Sequence, residues 1–167
     1  MFGIPSLPPA QGLHPLVVHF PIALLLTAWL PMLIGLVDKR RRGGWLGAGV
    51  LMLLLGVLGA FVSTFTGETA ASIVGPDSKA MEDLLHAHET TAELARNIFL
   101  AVLVLCIIML LAVRAAKENH KRRFVIIALL LVGVPYIFGA LAMINAAHEG
   151  GRLVHEFGVR APMSANP

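Results

Sequence analysis

Four stretches of the chain are almost unbroken by polar residues: Leu16–Val37, Trp45–Thr66, Ala92–Val113 and Phe124–Ala147. Each is close to the roughly 20 residues that a helix needs to cross a ~30 Å hydrocarbon core. Apolar residues run continuously through them instead of alternating. Unpaired backbone groups are costly in lipid, so the runs predict helices, and the missing period of two excludes a membrane β-barrel. Polar segments join consecutive runs, the outer one longer than the inner two. The pattern therefore predicts an all-α, polytopic membrane protein, a four-helix up-and-down bundle spanning residues 1–167 as one domain.

Proline, glycine and small residues refine this picture. "MFGIPSLPPAQGL" reads as an extended tail, and Pro15 suits a first helical turn with His14 at the cap position. Pro21 leaves the Val17 carbonyl without its helical donor. In the second run, Gly56, Ala60 and Thr64 form one stripe and Gly59, Ser63 and Gly67 the next, which lets a neighbouring helix, or a flat macrocycle, approach closely. The third helix is expected to start at Pro76 and Asp77 and to stand a couple of turns above the bilayer. Pro135 predicts a kink in the fourth, and Gly150 and Gly151 predict its C-cap and a turn, after which the chain runs along the outer surface. No internal repeat stands out in the sequence.

Composition agrees with the pattern. The chain is 57% hydrophobic and 14% charged, with a mean hydropathy of +0.79, well outside the soluble range. Lys39, Arg40, Arg41 and Arg42 lie in one loop, and Arg114, Lys117, Lys121, Arg122 and Arg123 in another on the same side, so nine of the 13 basic residues share a face. The positive-inside rule makes that face cytoplasmic and predicts both termini outside. The net charge of +3 then reflects topology and calls for no nucleic-acid partner. A cleaved signal peptide is not expected, because the first twenty residues carry no basic segment. Cys106, the single cysteine, lies deep in the third run as a packing residue; one cysteine forms no internal disulfide, and the chain has no C-x-x-C-H haem attachment motif.

Histidines carry the chemistry. Only His120 falls on the basic side, whereas His14, His19, His86, His88, His148 and His155 gather at the outer ends of the runs. Counting residues up from the cytoplasmic charges puts His14, Glu68, His88 and His148 at one level, roughly 36–39 Å along their helices. His19 lies about 7 Å deeper, where an ionisable side chain signals function. The first and third helices of such a bundle are diagonal, so His19 and His88 are expected to approach a shared centre. Two imidazoles in that arrangement hold a b-type haem, with Arg96 and Arg152 available to its propionates. Glu68 and Glu89 would then orient the imidazoles through their second ring nitrogens. His14 and His19 are about 140° apart on a helix, and His86 and His88 lie on nearly opposite faces, so one member of each pair serves a single centre.

A mononuclear transition-metal site built from His14, Glu68, His88 and His148 competes with haem, since imidazole and carboxylate suit zinc, copper(II) or iron(II). A third reading is a structural or assembly subunit whose histidines make interfacial hydrogen bonds. No compact metalloprotease motif, phosphate loop or nucleophile elbow is present, which excludes ordinary hydrolases and leaves open whether the chain is an enzyme at all.

"HPLVVHFPIALL", "TGE" at Thr66–Glu68, "HE" at His88–Glu89 and "GGRLVHEFGV" at Gly150–Val159 together resemble the bacterial membrane family designated domain of unknown function 2231. The resemblance covers nearly the whole chain. It implies a small four-helix inner-membrane protein, and the iron–sulfur domains fused to some relatives imply redox company. It highlights His14, His19, Glu68, His88, Gly150 and Gly151; its last motif more often has tyrosine where this chain has His155. The combined expectation is a bundle that binds b-type haem at its outer end for electron transfer, within the lipid bilayer and alongside a redox partner or larger membrane complex.

Overall fold

The computed structural model describes residues 7–115 and 118–160, with the side chains of all of these except 118–125, 128 and 129. Lys117, Lys121, Arg122, Arg123 and His120 thus lie outside the described side chains. Four long helical segments follow a short 3-10 turn at Ala10–Gly12: α1 (His14–Val37), α2 (Arg42–Ala71), α3 (Lys79–Ala115) and α4 (Glu118–Phe157). No strand occurs among the described residues. All four contain stretches long and apolar enough to cross a membrane.

The helices run past the limits that hydropathy alone suggests. α3 continues to Ala115 and α4 is helical from Glu118, so most of the expected basic loop is helix. Polar residues end a hydrophobic run, but nothing in Arg114 or in Glu118–Arg123 breaks a helix. Gly150 and Gly151 likewise do not terminate α4; it runs on to Phe157 and stops at Gly158, whose φ is +69°. There the Val159 N–H reaches back to the Leu153 carbonyl at 3.1 Å, a backbone bond across the left-handed glycine that closes the helix. Ser78, one residue after the expected start at Pro76 and Asp77, caps α3 by accepting the Met81 N–H at 3.3 Å.

α1 is helical in three pieces, His14–Val17, His19–Thr27 and Trp29–Val37. The intervening Val18 and Ala28 keep right-handed helical dihedrals. Pro21 and Pro31 cause the interruptions, because each removes the N–H that its i−4 carbonyl, of Val17 or Thr27, would accept. At its far end Asp38 closes the α1–α2 turn, accepting the Arg41 N–H at 3.0 Å and the Trp45 indole N–H at 3.1 Å. These two donors hold the Asp38 carboxyl below the ordinary carboxylate range. Arg42 is buried beside it and gives its Nε–H to the Gly35 carbonyl at 3.1 Å.

Consecutive helices pack side by side and α1 also touches α4, which closes an up-and-down bundle with α1 and α3 on a diagonal. The core is drawn from all four helices: Leu25 and Met32, Leu53 and Val57, Phe99 and Val102, Tyr136 and Met143. Lipid is as apolar as these side chains, so close fit rather than escape from water favours association. Gly56 sits under Leu25, and Gly59 under Phe20 and Pro21, so the small-residue stripe of α2 is the bed for α1 and is not left open for a macrocycle. The Tyr136 hydroxyl donates to the Leu25 carbonyl, and its ring meets Phe99 edge-on at 5.3 Å. At the end opposite the α1–α2 turn, α3 and α4 continue as a hairpin sealed by Met81, Leu84, Leu153 and Phe157.

Candidate functional site

The end of the bundle that carries the histidines brings two of them together. His14 at the start of α1 and His88 in α3 have ring centroids 6.3 Å apart and ring planes at 85°. The level predicted by residue counting is the level at which they meet, but the partner of His88 is His14, not His19. The His19 side chain is exposed, and its Nδ1 bonds the Pro15 carbonyl of its own helix at 2.9 Å. The reason is rotational: with roughly 140° between positions 14 and 19, turning His14 into the bundle turns His19 out. His86 is exposed and His88 half-buried for the same reason.

Each of the two inward rings is held by the second helix of its own hairpin, in one repeated way. His14 Nδ1 donates to the Ser63 carbonyl of α2 at 2.9 Å, and its ring lies on Gly67, where an added Cβ would come within 3.1 Å of Cε1. His88 Nδ1 donates to the Ala146 carbonyl of α4 at 2.8 Å, and its ring lies on Gly150, where a Cβ would come within 3.0 Å of Cε1. In both hairpins the glycine follows the accepting residue by four positions, one turn along the same face. An internal repeat absent from the sequence as a whole is present here. Thr66 is buried at the same place, and its hydroxyl donates to the Val62 and Ser63 carbonyls at 3.0 Å.

These bonds set the tautomer. A carbonyl only accepts, so Nδ1 of each ring carries the proton, and in a neutral imidazole Nε2 is left with a lone pair. The backbone carbonyls of Ser63 and Ala146 thus take the orienting role expected of Glu68 and Glu89. Of those carboxylates, Glu68 is exposed and Glu89 half-buried. No sequence signal pointed to Ser63 and Ala146, since carbonyls leave no trace in residue type.

The remaining candidates lie around the pair. Arg96 is half-buried: its Nη1 donates to Thr64 Oγ1 at 2.9 Å, its guanidinium lies 4.9 Å from the centre of the Phe61 ring, and Glu93 is 3.8 Å away. Arg152 is exposed and paired with Glu156 at 2.8 Å within α4. His148 and His155 are exposed. Among the described residues, no three His, Cys, Asp or Glu side chains come close enough to hold a metal ion by themselves, so His14, Glu68, His88 and His148 are not gathered into a four-ligand set. What the site offers is two imidazole rings, oriented by backbone carbonyls, on diagonal helices.

The family described as "Predicted membrane protein (DUF2231)" matches residues 10–162. No curated protein and no solved structure matches the chain.

Proposed function

The chain belongs to this family of predicted membrane proteins, and from the geometry at its histidine end we propose that it is a membrane redox protein in which His14 and His88 would hold a b-type haem. The carrying observation is a donor set of two, and only two, imidazoles at a separation of 6.3 Å among the described residues. Two imidazoles at this separation could share a single metal ion between them. Zinc or copper(II) held by protein alone needs three or four ligands, whereas haem iron takes four from the porphyrin and asks the chain for the other two. A haem held there would supply one-electron chemistry.

The protein's own contribution is orientation. The Ser63 and Ala146 carbonyls fix both tautomers and make both Nε2 atoms better donors, as outer partners of ligating histidines do. Arg96 and Arg152 are the cations at this end that propionates would meet. The basic α1–α2 turn belongs in the cytoplasm by the positive-inside rule, which puts the histidine end and the α3–α4 hairpin outside the bacterial inner membrane, where a redox partner or a larger complex would exchange electrons.

Gently purified protein, produced with ample haem supply, should show a Soret band and a sharp reduced α-band. His14→Ala and His88→Ala should each abolish or grossly alter both bands, and His19→Ala and His148→Ala should leave them. Absence of haem from the wild type, or bands that survive both His14→Ala and His88→Ala, would overturn the assignment; a stoichiometric transition metal lost from those two variants would replace haem by a bare ion.

A further inference from the structure

A second chemically distinct place lies at the opposite end of the bundle, in the half nearer the α1–α2 turn. All four helices line a cavity of about 30 Å³ there, with Met32 from α1, Val50 from α2, Cys106 and Met109 from α3 and Val132 from α4 on its wall. That is more than the ~10–15 Å³ that one water requires, yet water also needs two or more polar partners, and the wall residues are hydrocarbon apart from their sulfurs. Those sulfurs are three: the thioethers of Met32 and Met109 and the thiol of Cys106. Cys106 and Met109 are three residues apart and share a face of α3. Met32 comes from the diagonal helix, its side chain seated on Gly49. Cys106 is buried and free, the only cysteine of the chain.

We propose that Met32, Cys106 and Met109 form a binding site for a single cuprous ion. Thiolate and thioether are soft ligands that select copper(I) over the harder divalent ions. Charge balance points the same way. Binding exchanges the thiol proton for the metal, Cu⁺ plus thiol giving copper thiolate and a proton released to solvent. The product carries no net charge and is compatible with an apolar wall, whereas a divalent ion on the same three sulfurs leaves an uncompensated positive charge in a place where charge is costly. The site is independent of the histidine pair and of the haem reading.

The test uses the full-length protein in detergent or nanodiscs under anaerobic conditions, titrated with cuprous ion against a colorimetric copper(I) chelator. One copper per chain should be held, with the same affinity in a His14→Ala/His88→Ala double variant and without competition from equimolar zinc. Cys106→Ser should weaken binding by about 100-fold or more, and the nearly isosteric Met32→Leu and Met109→Leu by about 10-fold each, which keeps the test sound even where the serine variant folds poorly. X-ray absorption of the copper form should show sulfur neighbours and no imidazole. Retention of copper by Cys106→Ser and both leucine variants, its loss from the histidine double variant, or no retention by the wild type would each overturn the proposal.

Discussion

Gly150 and Gly151 are adjacent, both within α4, and should respond in opposite ways to the same methyl group. At Gly151 an added Cβ meets nothing within 4 Å, so Gly151→Ala removes only the backbone entropy penalty of a helical glycine and should stabilise by ~0.5–1 kcal/mol. At Gly150 the added Cβ stands 3.0 Å from His88 Cε1, where ordinary contact begins at 3.4 Å. The ring cannot simply retreat, because its Nδ1–H is bound at 2.8 Å to the Ala146 carbonyl on the same face of the same helix. Overpacking of this kind costs about 1–3 kcal/mol, and release of the ring forfeits a hydrogen bond worth ~0.5–1.5 kcal/mol net. Against the same propensity gain, Gly150→Ala should come out destabilising by ~1–3 kcal/mol. Reversible denaturant unfolding in detergent measures both, and a double variant with His88→Ala should recover the alanine benefit, since the clash is then gone. Gly150→Ala stabilising as much as Gly151→Ala, in the presence of His88, would refute the cradle and with it the fixed ring orientation on which the functional reading stands.

Tyr136→Phe keeps the ring against Phe99 and removes the donor to the Leu25 carbonyl, the polar tie between α4 and α1; unfolding free energy should fall by ~0.5–1.5 kcal/mol. Ser78→Ala removes the cap of α3 and should cost ~0.5–2 kcal/mol, read as faster amide exchange confined to residues 79–84. Asp38 has a folded-state pKa lowered by the Arg41 and Trp45 donors, so its contribution is present above the ordinary carboxylate range and is lost only as pH falls through the lowered value. In a Trp29→Phe background, Trp45 fluorescence should stay constant from neutral pH down through the ordinary carboxylate range and change below it; Asp38→Asn should abolish that acid transition.

The sequence alone determines the class of this protein, because lipid leaves an apolar run of some 20 residues little alternative to a helix. It also determines the level at which the four helices present their polar ends, since a helix converts residue count into length. It shows that only one of His14 and His19 can face a single centre, but not which one. That choice rests on the notch that Ser63 and Gly67 form in α2, and a notch exists only once α1 has been laid on the Gly56 and Gly59 stripe. The same holds for the helix ends. Gly150 looks like a stop signal until His88 fills the space above it, and the actual stop at Gly158 depends on the backbone bond from Val159 to Leu153. The carbonyls that orient both imidazoles, and the three sulfurs gathered around one cavity from two diagonal helices, come from packing rather than from residue type or spacing. Close approach between helices far apart in the chain created them, and no local pattern encodes it.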